Sequence, residues 1–327
     1  MKLNKTIMIT GGAGFIGSHV VKHLMEYENC KIIVVDNLST GDINNIPVKF
    51  KESMICNINL TRINEENKYY FMQCSYDNKS VLNILKDCDY VLHFAATPRV
   101  GYSVEYPLKT HQNNVEATLK LLDACKDAKI KRFIFSSSSS VVGNAKTPTT
   151  ENEQKQPRSP YALQKSIIED YCRLYSELYG LDSVSLRYFN VYGPGQLPGK
   201  SYSTVIPAWF SSIKNNKPLL LEGDGTQSRD FCYIDNVVQA NILSILCKEN
   251  LKGEVLNIGC NNTISLNEIL DFLNNKFKNL KIEYAEPRIG DVHKTHALIS
   301  KAKKMINYNP KIKFFEGLEL TLKWWNL

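Results

Sequence analysis

The chain has 327 residues, of which 43% are hydrophobic and 22% charged, and it contains no compositionally biased tract. This composition excludes disordered and fibrous proteins and leaves room for about two globular domains. The 40 basic and 33 acidic residues give a formal net charge of +7. Because the basic residues are scattered along the chain, the sequence favours a weak attraction for small anions and not a nucleic-acid-binding surface.

The cysteine spacing and the hydropathy indicate neither secretion nor membrane insertion. Nine cysteines occur at irregular spacings without a C-x-x-C pair, which is typical of buried thiols in a reducing compartment. The first residues lack the pattern of a secretory signal, and no apolar run approaches 18 residues. We therefore expect a cytoplasmic protein that does not bind a membrane.

Short apolar runs alternate with helical patterns over the first 190 residues. The runs cover 7–10, 31–36, 89–94, 132–136 and 183–187, and the helical patterns cover 14–27, 115–128 and 161–179. Strands separated by helices of this length predict an α/β fold with a doubly wound parallel (Rossmann) sheet over 1–189. Loops rich in Gly, Pro and Ser and amphipathic helices such as 266–277 follow. They predict a smaller mixed α/β domain over 190–327, with some segments returning to the first domain.

A glycine-rich turn follows the first predicted strand and opens the first helix. Gly11, Gly14 and Gly17 let the backbone approach a pyrophosphate at the positive end of that helix. Asp36 ends the second predicted strand, where a carboxylate accepts both hydroxyls of an adenosine ribose and repels a 2′-phosphate. The pattern therefore predicts NAD in preference to NADP. The alternative is that the glycines serve tight turns only and that Asp36 caps a helix.

A tyrosine and a lysine four residues apart form a candidate catalytic pair. Tyr161 and Lys165 would share one helix face, and Ser159 and Pro160 suit the start of that helix. A tyrosine that acts as a base near neutral pH needs a pKa about three units below its usual ~10, which Lys165, the helix dipole and a positive nicotinamide could supply together. The run Ser136–Ser140 follows a predicted strand and offers a hydroxyl to relay the proton. Alone, such a pair could equally be a surface tyrosine and a solvated lysine.

The glycine turn, the serine run and the Tyr-Lys pair, in this order and spacing, resemble the extended short-chain dehydrogenase/reductase family and its NAD-dependent epimerase/dehydratase members. The resemblance covers nearly the whole chain. Residues 93–96 and 113–115 look like the family's cofactor lining, and 187–194 resemble its strand and loop beneath the nicotinamide and diphosphate. Residues 223–234 and 288–292 resemble its nucleotide-sugar clamp.

The resemblance implies a role for each matching position. The catalytic residues would be Ser138, Tyr161 and Lys165, with Ser139 and Ser140. The residues that would bind NAD are Gly11, Gly14, Phe15, Ile16, Gly17, Asp36, Asn37, Ser39, Thr40, Gly41, Ser75, Tyr76, Phe94, Ala95, Ala96, Asn114, Ser136, Tyr161, Lys165 and Tyr188. The residues that would bind the sugar nucleotide are Arg99, Val100, Ser103, Ser138, Ser140, Tyr161, Asn190, Val205, Leu221, Glu222, Arg229, Arg288, Asp291 and Thr295. No metal is expected, because the histidine pairs 19/23 and 293/296 lack a third ligand nearby in the sequence.

The residues after the serine run indicate the reaction. Family 4,6-dehydratases carry an Asp-Glu pair there, whereas this chain has Ser139 and Ser140, which favours reversible hydride transfer at C4 of the sugar through a 4-keto intermediate. Residues 227–241 and the hydroxyls of Ser138–Ser140 are most similar to bacterial UDP-N-acetylglucosamine 4-epimerases of polysaccharide synthesis. This implies interconversion of UDP-GlcNAc and UDP-GalNAc. The open alternatives are an epimerase of UDP-glucuronate, UDP-glucose or a GDP-sugar, a net sugar-nucleotide 4-dehydrogenase and a nucleotide-sensing protein without activity.

Three further features bear on the ligands and the assembly. Cys74 and Ser75 replace a Gly-Asp pair whose carboxylate holds the adenine amino group in the family, so we expect this contact to be weaker or to be made by Ser75 and Tyr76. Arg99 is unexpected in the sugar loop and suits a carboxylate or phosphate, which keeps UDP-glucuronate open. Thr295 falls where a tyrosine restricts relatives to unacetylated sugars; a threonine leaves space for an N-acetyl group, or it is an ordinary loop residue. The family also implies a homodimer through the helices 115–128 and 161–179.

Overall fold

The computed structural model describes residues 2–51, 54–55, 67–198, 204–286 and 292–327. The strands in these ranges are β1 (Lys2–Thr10), β2 (Glu28–Val35), β3 (Met54–Ile55), β4 (Tyr69–Met72), β5 (Tyr90–His93), β6 (Arg132–Ser138), β7 (Ser183–Tyr188), β8 (Val191–Tyr192), β9 (Leu219–Glu222), β10 (Ser228–Arg229), β11 (Cys232–Tyr233), β12 (Glu254–Ile258), β13 (Ile264–Ser265) and β14 (Ile282–Ala285). The α-helices are α1 (Phe15–Leu24), α2 (Val48–Lys51), α3 (Lys79–Ile84), α4 (Val100–Glu105), α5 (Pro107–His111), α6 (Ala117–Asp127), α7 (Pro160–Tyr179), α8 (Val205–Lys214), α9 (Ile234–Leu246), α10 (Leu266–Lys276), α11 (Ser300–Ile306) and α12 (Phe314–Trp325).

The central element is a parallel sheet of eight strands in the order β12-β7-β6-β5-β1-β2-β4-β3. Both of its faces are covered, which explains why central strands read as continuous apolar runs: Ile7, Met8 and Ile9 are all fully buried. The order of the strands reverses between β1 and β5. In doubly wound sheets, the crevice at this reversal, at the carboxyl ends of the strands, is where ligands bind.

Helices pack on both faces of the sheet. Val20 of α1 and Val237 of α9 belong to the apolar core on one face, and Leu121 of α6 and Ile168 of α7 belong to the core on the other. The start of α7 is fixed as the sequence predicts, because the Ser159 hydroxyl accepts a hydrogen bond from a first-turn N–H at 3.1 Å. The predicted doubly wound α/β fold is confirmed.

The second half of the chain adds small pieces of sheet. Strands β9 and β14 pair in parallel, β10 and β13 pair antiparallel, and β8 pairs with β11. Strand β12 returns to the central sheet and pairs with β7. Within the described ranges, no helix has both the length and the apolar character needed to cross a bilayer.

One local prediction was wrong. The serine run does not follow the strand: β6 continues through Ser138, since its pairing with β7 extends to Tyr188. The helical pattern predicted over 115–128 is present as α6, which continues directly from a π-helical turn at Gln112–Glu116. Such turns are often associated with functional sites.

Candidate active site

A cavity of about 660 Å³ opens at the carboxyl ends of β1, β2, β4, β5, β6 and β7. It brings together residues predicted for the cofactor, the sugar and the chemistry. The predicted site residues that line it are Gly11, Gly14, Phe15, Ile16, Gly17, Asp36, Asn37, Ser39, Thr40, Ser75, Tyr76, Phe94, Ala95, Ala96, Arg99, Val100, Ser136, Ser138, Ser139, Ser140, Tyr161, Lys165, Tyr188 and Asn190.

The glycine turn leaves no room for side chains. Gly11 has a φ of +70°, and a Cβ atom on it would lie 2.5 Å from the backbone nitrogen of Ala95. A Cβ on Gly17 would lie 2.8 Å from the Cα of Gly12. Gly14 is the N-cap of α1 and brings no side chain to that helix end. The turn therefore fits the diphosphate of a dinucleotide, which would meet backbone N–H groups at the helix end.

Asp36 is held in one position at the end of β2. One carboxylate oxygen accepts from the backbone N–H of Ala13 at 2.9 Å, and the other accepts from that of Leu38 at 2.8 Å. Burial raises the pKa of Asp36, and these two bonds act against the rise. Gly41 does not line the cavity, but a Cβ on it would be 3.0 Å from both carboxylate oxygens. Asp36 caps no helix, since the next helical turn is capped by Asp42, so its carboxylate suits a ribose.

The hydroxyls of Ser75 and Tyr76, in the pocket beyond Asp36, differ in their availability for a ligand. The Ser75 hydroxyl donates to Asp77 at 2.6 Å, and Asp77 pairs with Lys120 at 3.2 Å. The serine oxygen can still accept a hydrogen bond from an adenine amino group. The Tyr76 hydroxyl donates to the backbone oxygen of Asn113, so it is already used within the protein.

Tyr161 and Lys165 meet the serine run in one corner of the cavity. The Lys165 ammonium donates to the backbone oxygen of Ser136 at 2.6 Å and lies 5.8 Å from the centre of the Tyr161 ring. The hydroxyls of Ser138 and Ser140 are 2.8 Å apart. Burial raises the pKa of Tyr161 to about 12, against a hydrogen bond with Ser138, and burial lowers the pKa of Lys165 to about 7. In this structure burial therefore disfavours the phenolate form of Tyr161.

Two predicted ligand-binding residues lie behind the cavity wall. The Asn114 amide oxygen accepts from the backbone N–H of Thr97 at 2.7 Å. The Ser103 hydroxyl donates to the Val100 carbonyl at 2.6 Å and accepts from the N–H of Tyr161 at 3.1 Å. Neither residue lines the cavity. In this structure they support the loop that carries the sugar-side residues and the start of α7.

Asn190 and Thr295 are bonded to each other. Asn190 has a φ of +26°, which is unusual for a residue with a side chain. Its amide nitrogen donates to the Thr295 hydroxyl at 2.8 Å and to the backbone oxygen of Asp230 at 3.2 Å. The N–H of Asp230 donates to the same hydroxyl at 3.1 Å. Thr295 is therefore an anchor for Asn190, and it is not among the described residues that line the cavity.

The remaining clamp residues lie away from the described lining. Arg229 donates to the backbone oxygens of Ser228 and His293, both at 3.0 Å. Val205 begins α8, next to Thr204, which does line the cavity. Leu221 and Glu222 belong to β9. Arg288 and Asp291 lie outside the described residues.

The loop after β8 contributes residues that the sequence analysis missed. Gln196 lines the cavity and donates to the backbone oxygen of Val191 at 3.1 Å, while its amide oxygen is buried and has no partner among the described residues. His19 of α1 donates from Nε2 to the Pro194 carbonyl at 2.8 Å and so fixes this loop. The family motif used in the sequence analysis ended at Pro194. The Gly-Pro-Gly-Gln run that continues beyond it could have indicated Gln196. In the described part of the chain, no cluster of three metal-binding side chains is present.

Comparison with known proteins agrees with this geometry. The model of the NAD dependent epimerase/dehydratase family matches residues 7–259. A UDP-glucuronate 4-epimerase of Thermodesulfobacterium geofontis is 35% identical over 97% of this chain and 95% of its own length.

Two solved structures are similar over their whole length. A UDP-N-acetylglucosamine 4-epimerase of Methanobrevibacter ruminantium, in complex with UDP-N-acetylmuramic acid, has a TM-score of 0.89 and 37% identity, and covers 100% of this chain and 99% of its own. A UDP-glucuronic acid 4-epimerase of Bacillus cereus, in complex with UDP-glucuronic acid and NAD, has a TM-score of 0.87 and 31% identity. It covers 98% of this chain and 99% of its own. These likenesses confirm the enzyme class and the NAD cofactor expected from the sequence. The chain therefore belongs to the NAD-dependent epimerase/dehydratase family.

Proposed function

We propose that the protein interconverts UDP-GlcNAc and UDP-GalNAc by reversible oxidation at C4 of the sugar. The observation that carries the proposal is the row of hydroxyls at Ser138–Ser140 beside Tyr161 and Lys165. The acidic side chains among the described cavity-lining residues are Asp36 and Asp42, both from the segment after β2. Elimination of water from the sugar would need acid and base groups near C5 and C6, which the described catalytic corner lacks.

The chain's own residues then have separate tasks. Tyr161 takes the proton of the sugar 4-hydroxyl, directly or through Ser138, and returns it when the ketone is reduced on its other face. Lys165 stabilises the phenolate. NAD, held by the glycine turn and Asp36, would supply the acceptor and donor of the C4 hydride. Ser139 and Ser140 hold the sugar, since hydroxyls can both donate to and accept from its oxygens.

An N-acetyl group is supported by the Gln196 amide oxygen. A buried acceptor without a donor costs about 1–3 kcal/mol, so a small rotation of the Gln196 side chain that exposes this oxygen to an acetamido N–H would be favoured. The Methanobrevibacter relative named above is an epimerase of UDP-N-acetylglucosamine. That Thr295 gates this group by its small volume stays part of the proposal, although its hydroxyl also anchors Asn190 at 2.8 Å.

The decisive experiment incubates the as-purified protein with UDP-GlcNAc, UDP-GalNAc, UDP-glucose, UDP-galactose, UDP-glucuronate and a GDP-sugar without added NAD, and separates the products by chromatography. Conversion of the acetylated pair supports the proposal, and conversion of another sugar alone overturns it. Reduced cofactor accumulating in step with a keto product would identify a net dehydrogenase. Thr295→Tyr is expected to abolish turnover of the acetylated pair and to spare UDP-glucose and UDP-galactose. Thr295→Val is the control, because it removes the anchor for Asn190 without adding bulk.

A second candidate, UDP-glucuronate 4-epimerase, is favoured by Arg99. This half-buried arginine lines the cavity, and no ion pair with a described carboxylate is present. A guanidinium binds a carboxylate in two-point geometry, so it suits the acid group of a uronate. Arg99→Gln is expected to reduce kcat/KM for UDP-glucuronate at least tenfold more than for UDP-glucose if this candidate is correct. An equal loss for both sugars would assign Arg99 to a phosphate shared by both substrates.

The assembly and setting are proposed with the function. Residues 190–327, apart from the segments that return to the sheet, would bind the nucleotide sugar, and residues 1–189 would bind NAD. A homodimer through α6 and α7 is supported by exposed apolar side chains on α7, namely Leu163, Leu178 and Tyr179. Light scattering that finds only monomer would refute the dimer. The described cysteines are free thiols, which supports a reducing cytoplasm, where the product would serve polysaccharide synthesis.

A further inference from the structure

A buried carboxylate that the reaction above does not use lies beside Lys165. Glu169 of α7 comes four residues after Lys165 and eight after Tyr161, so the three side chains follow one helix face. The Glu169 side chain is fully buried. A buried charge is costly unless partners compensate it, so the contacts of this carboxylate indicate why it is there.

Three groups hold the Glu169 carboxylate. Arg187 of β7, which is 1% exposed, donates from Nε to one oxygen and from Nη2 to the other, both at 2.8 Å. The Ser137 hydroxyl donates at 2.6 Å. Lys155 lies 3.3 Å away and also pairs with the exposed Asp170 at 2.7 Å. The two-point bond from Arg187 fixes both the position and the orientation of the carboxylate.

The bond to Ser137 reaches the reacting corner. Ser137 lies between two residues that contact the catalytic pair. The Ser136 carbonyl accepts from the Lys165 ammonium, and the Ser138 side chain forms a hydrogen bond with Tyr161. Adjacent side chains of a strand point to opposite sides, so the bond at the Ser137 hydroxyl fixes the peptides that join Ser137 to Ser136 and Ser138. Glu169 thus ties the end of β6 to the helix that carries the catalytic pair.

Glu169 also supplies charge. Lys165 faces Tyr161 and Glu169 on its own helix, the Phe135 ring on β6 at 4.7 Å and His93 on β5. Burial lowers the pKa of His93 well below its usual value, with a smaller contribution from Lys165, so His93 is neutral. Burial lowers the pKa of Lys165 to about 7, and the Glu169 charge acts against this lowering.

We propose that Glu169, clamped by Arg187, is a positioning residue for the catalytic pair: it fixes the strand segment Ser136–Ser138 against α7, and its negative charge keeps Lys165 protonated. It does not touch the reacting atoms. The inference rests on the proposed use of Tyr161 and Lys165, but it holds for whichever sugar the enzyme takes.

The test compares pH profiles of kcat/KM. Glu169→Gln retains an oxygen that accepts from Ser137 and removes the charge, so the alkaline limb, where Lys165 loses its proton, is expected to move to lower pH by about one unit. Because this variant leaves Arg187 buried without a counter-ion, the neutral pair Glu169→Gln with Arg187→Met is the second variant. It removes a cation together with the carboxylate, so its alkaline limb should move in the same direction but by less. Uniform loss of rate with an unchanged profile, or an unchanged rate, would overturn the proposal.

Two controls separate charge from fold. Glu177→Gln removes a carboxylate from the same helix, where it pairs with Arg173 at the surface, and should leave the profile unchanged. Lys155→Met removes a cation from the same carboxylate and should not move the limb downward. A shift in either variant like that of Glu169→Gln would refute the charge argument.

The pKa of Lys165 can be measured without turnover, which separates the role of Glu169 from the choice of substrate. In protein labelled at the lysine Cε carbon, the NMR titration of Lys165, assigned by Lys165→Met, is expected to show a lower pKa in Glu169→Gln than in the parent. If no sugar nucleotide is converted but this shift is seen, the substrate proposal fails and the positioning role stands. An unshifted Lys165 titration refutes the positioning charge directly.

Discussion

The position of Asp36 predicts a preference for NAD over NADP, and the size of this preference can be calculated from the structure. A 2′-phosphate would stand where the ribose hydroxyl meets the Asp36 carboxylate, about 4 Å from its charge. Two unit charges at that distance repel by about 4 kcal/mol at an effective dielectric constant of 20. The carboxylate cannot turn away, because Ala13 and Leu38 hold both oxygens. Even a third of this repulsion gives a tenfold preference for NAD, so we expect at least about tenfold.

The perturbation is Asp36→Asn, which keeps the shape and removes the charge. NADP affinity should rise as the repulsion disappears. NAD affinity should fall by about 1 kcal/mol, the difference between hydrogen bonds from the ribose to a charged and to a neutral acceptor. Together these changes should bring the NAD preference below that of the parent by at least about tenfold. Asp42→Asn is the matched control, since Asp42 lines the same cavity, is exposed, and accepts a bond from the N–H of Asn44 at 2.8 Å.

Calorimetric titration of both cofactors into protein freed of bound NAD measures these quantities. The reasoning is refuted if the parent protein binds NADP more tightly than NAD. It is also refuted if Asp36→Asn leaves the preference unchanged, or if Asp42→Asn alters it as much.

Three further outcomes are expected. Tyr161→Phe should lower kcat by at least about a hundredfold with bound NAD unchanged, and a Phe variant that keeps a tenth of the parent rate would remove the tyrosine from the reaction. Ser138→Ala should lower kcat less, because the Ser140 hydroxyl lies 2.8 Å from that of Ser138. Gly17→Ala should lower the melting temperature and release NAD, because the added Cβ would overlap the Gly11 carbonyl; a fully NAD-loaded variant would contradict this. Burial raises the pKa of Asp230 to about 6, above its unfolded ~3.9, so the folded protein holds that proton more tightly and the Asp230 contribution to unfolding free energy falls by about 2 kcal/mol as pH rises from 4 to 7. Urea unfolding at both pH values should show that fall in the parent relative to Asp230→Asn, and a constant difference between them would refute it.

The parts of the site that could be predicted from the sequence are local in the chain. Gly11, Gly14 and Gly17 lie in one turn, and Asp36 ends the neighbouring strand, so the strand-turn-helix pattern alone places them together. The face shared by Tyr161 and Lys165 follows in the same way from helix periodicity.

The parts that could not be predicted depend on contacts between distant segments. Alignment gave Thr295 a position in the pocket but not the direction of its hydroxyl, which is set by Asn190, 105 residues away. The same holds for Ser103, whose bond to the N–H of Tyr161 depends on how α4 packs against α7. Glu169 follows Lys165 at an ordinary helical spacing, and only the packing of α7 on β7 shows that Glu169 is buried and paired with Arg187.

The bond from His19 to the Pro194 carbonyl bears on any attempt to redesign the sugar preference. The imidazole belongs to the helix whose first turn would hold the cofactor, and the carbonyl begins the segment Gly195–Pro198 along the sugar-facing wall. A segment transplanted from another epimerase would therefore have to keep the carbonyl at 194 where His19 can reach it. Grafts that begin at Gly195 preserve this attachment, whereas grafts that begin before Pro194 also replace the residue that carries the attached carbonyl. Substitutions intended to change the sugar preference are best confined to residues that follow Pro194.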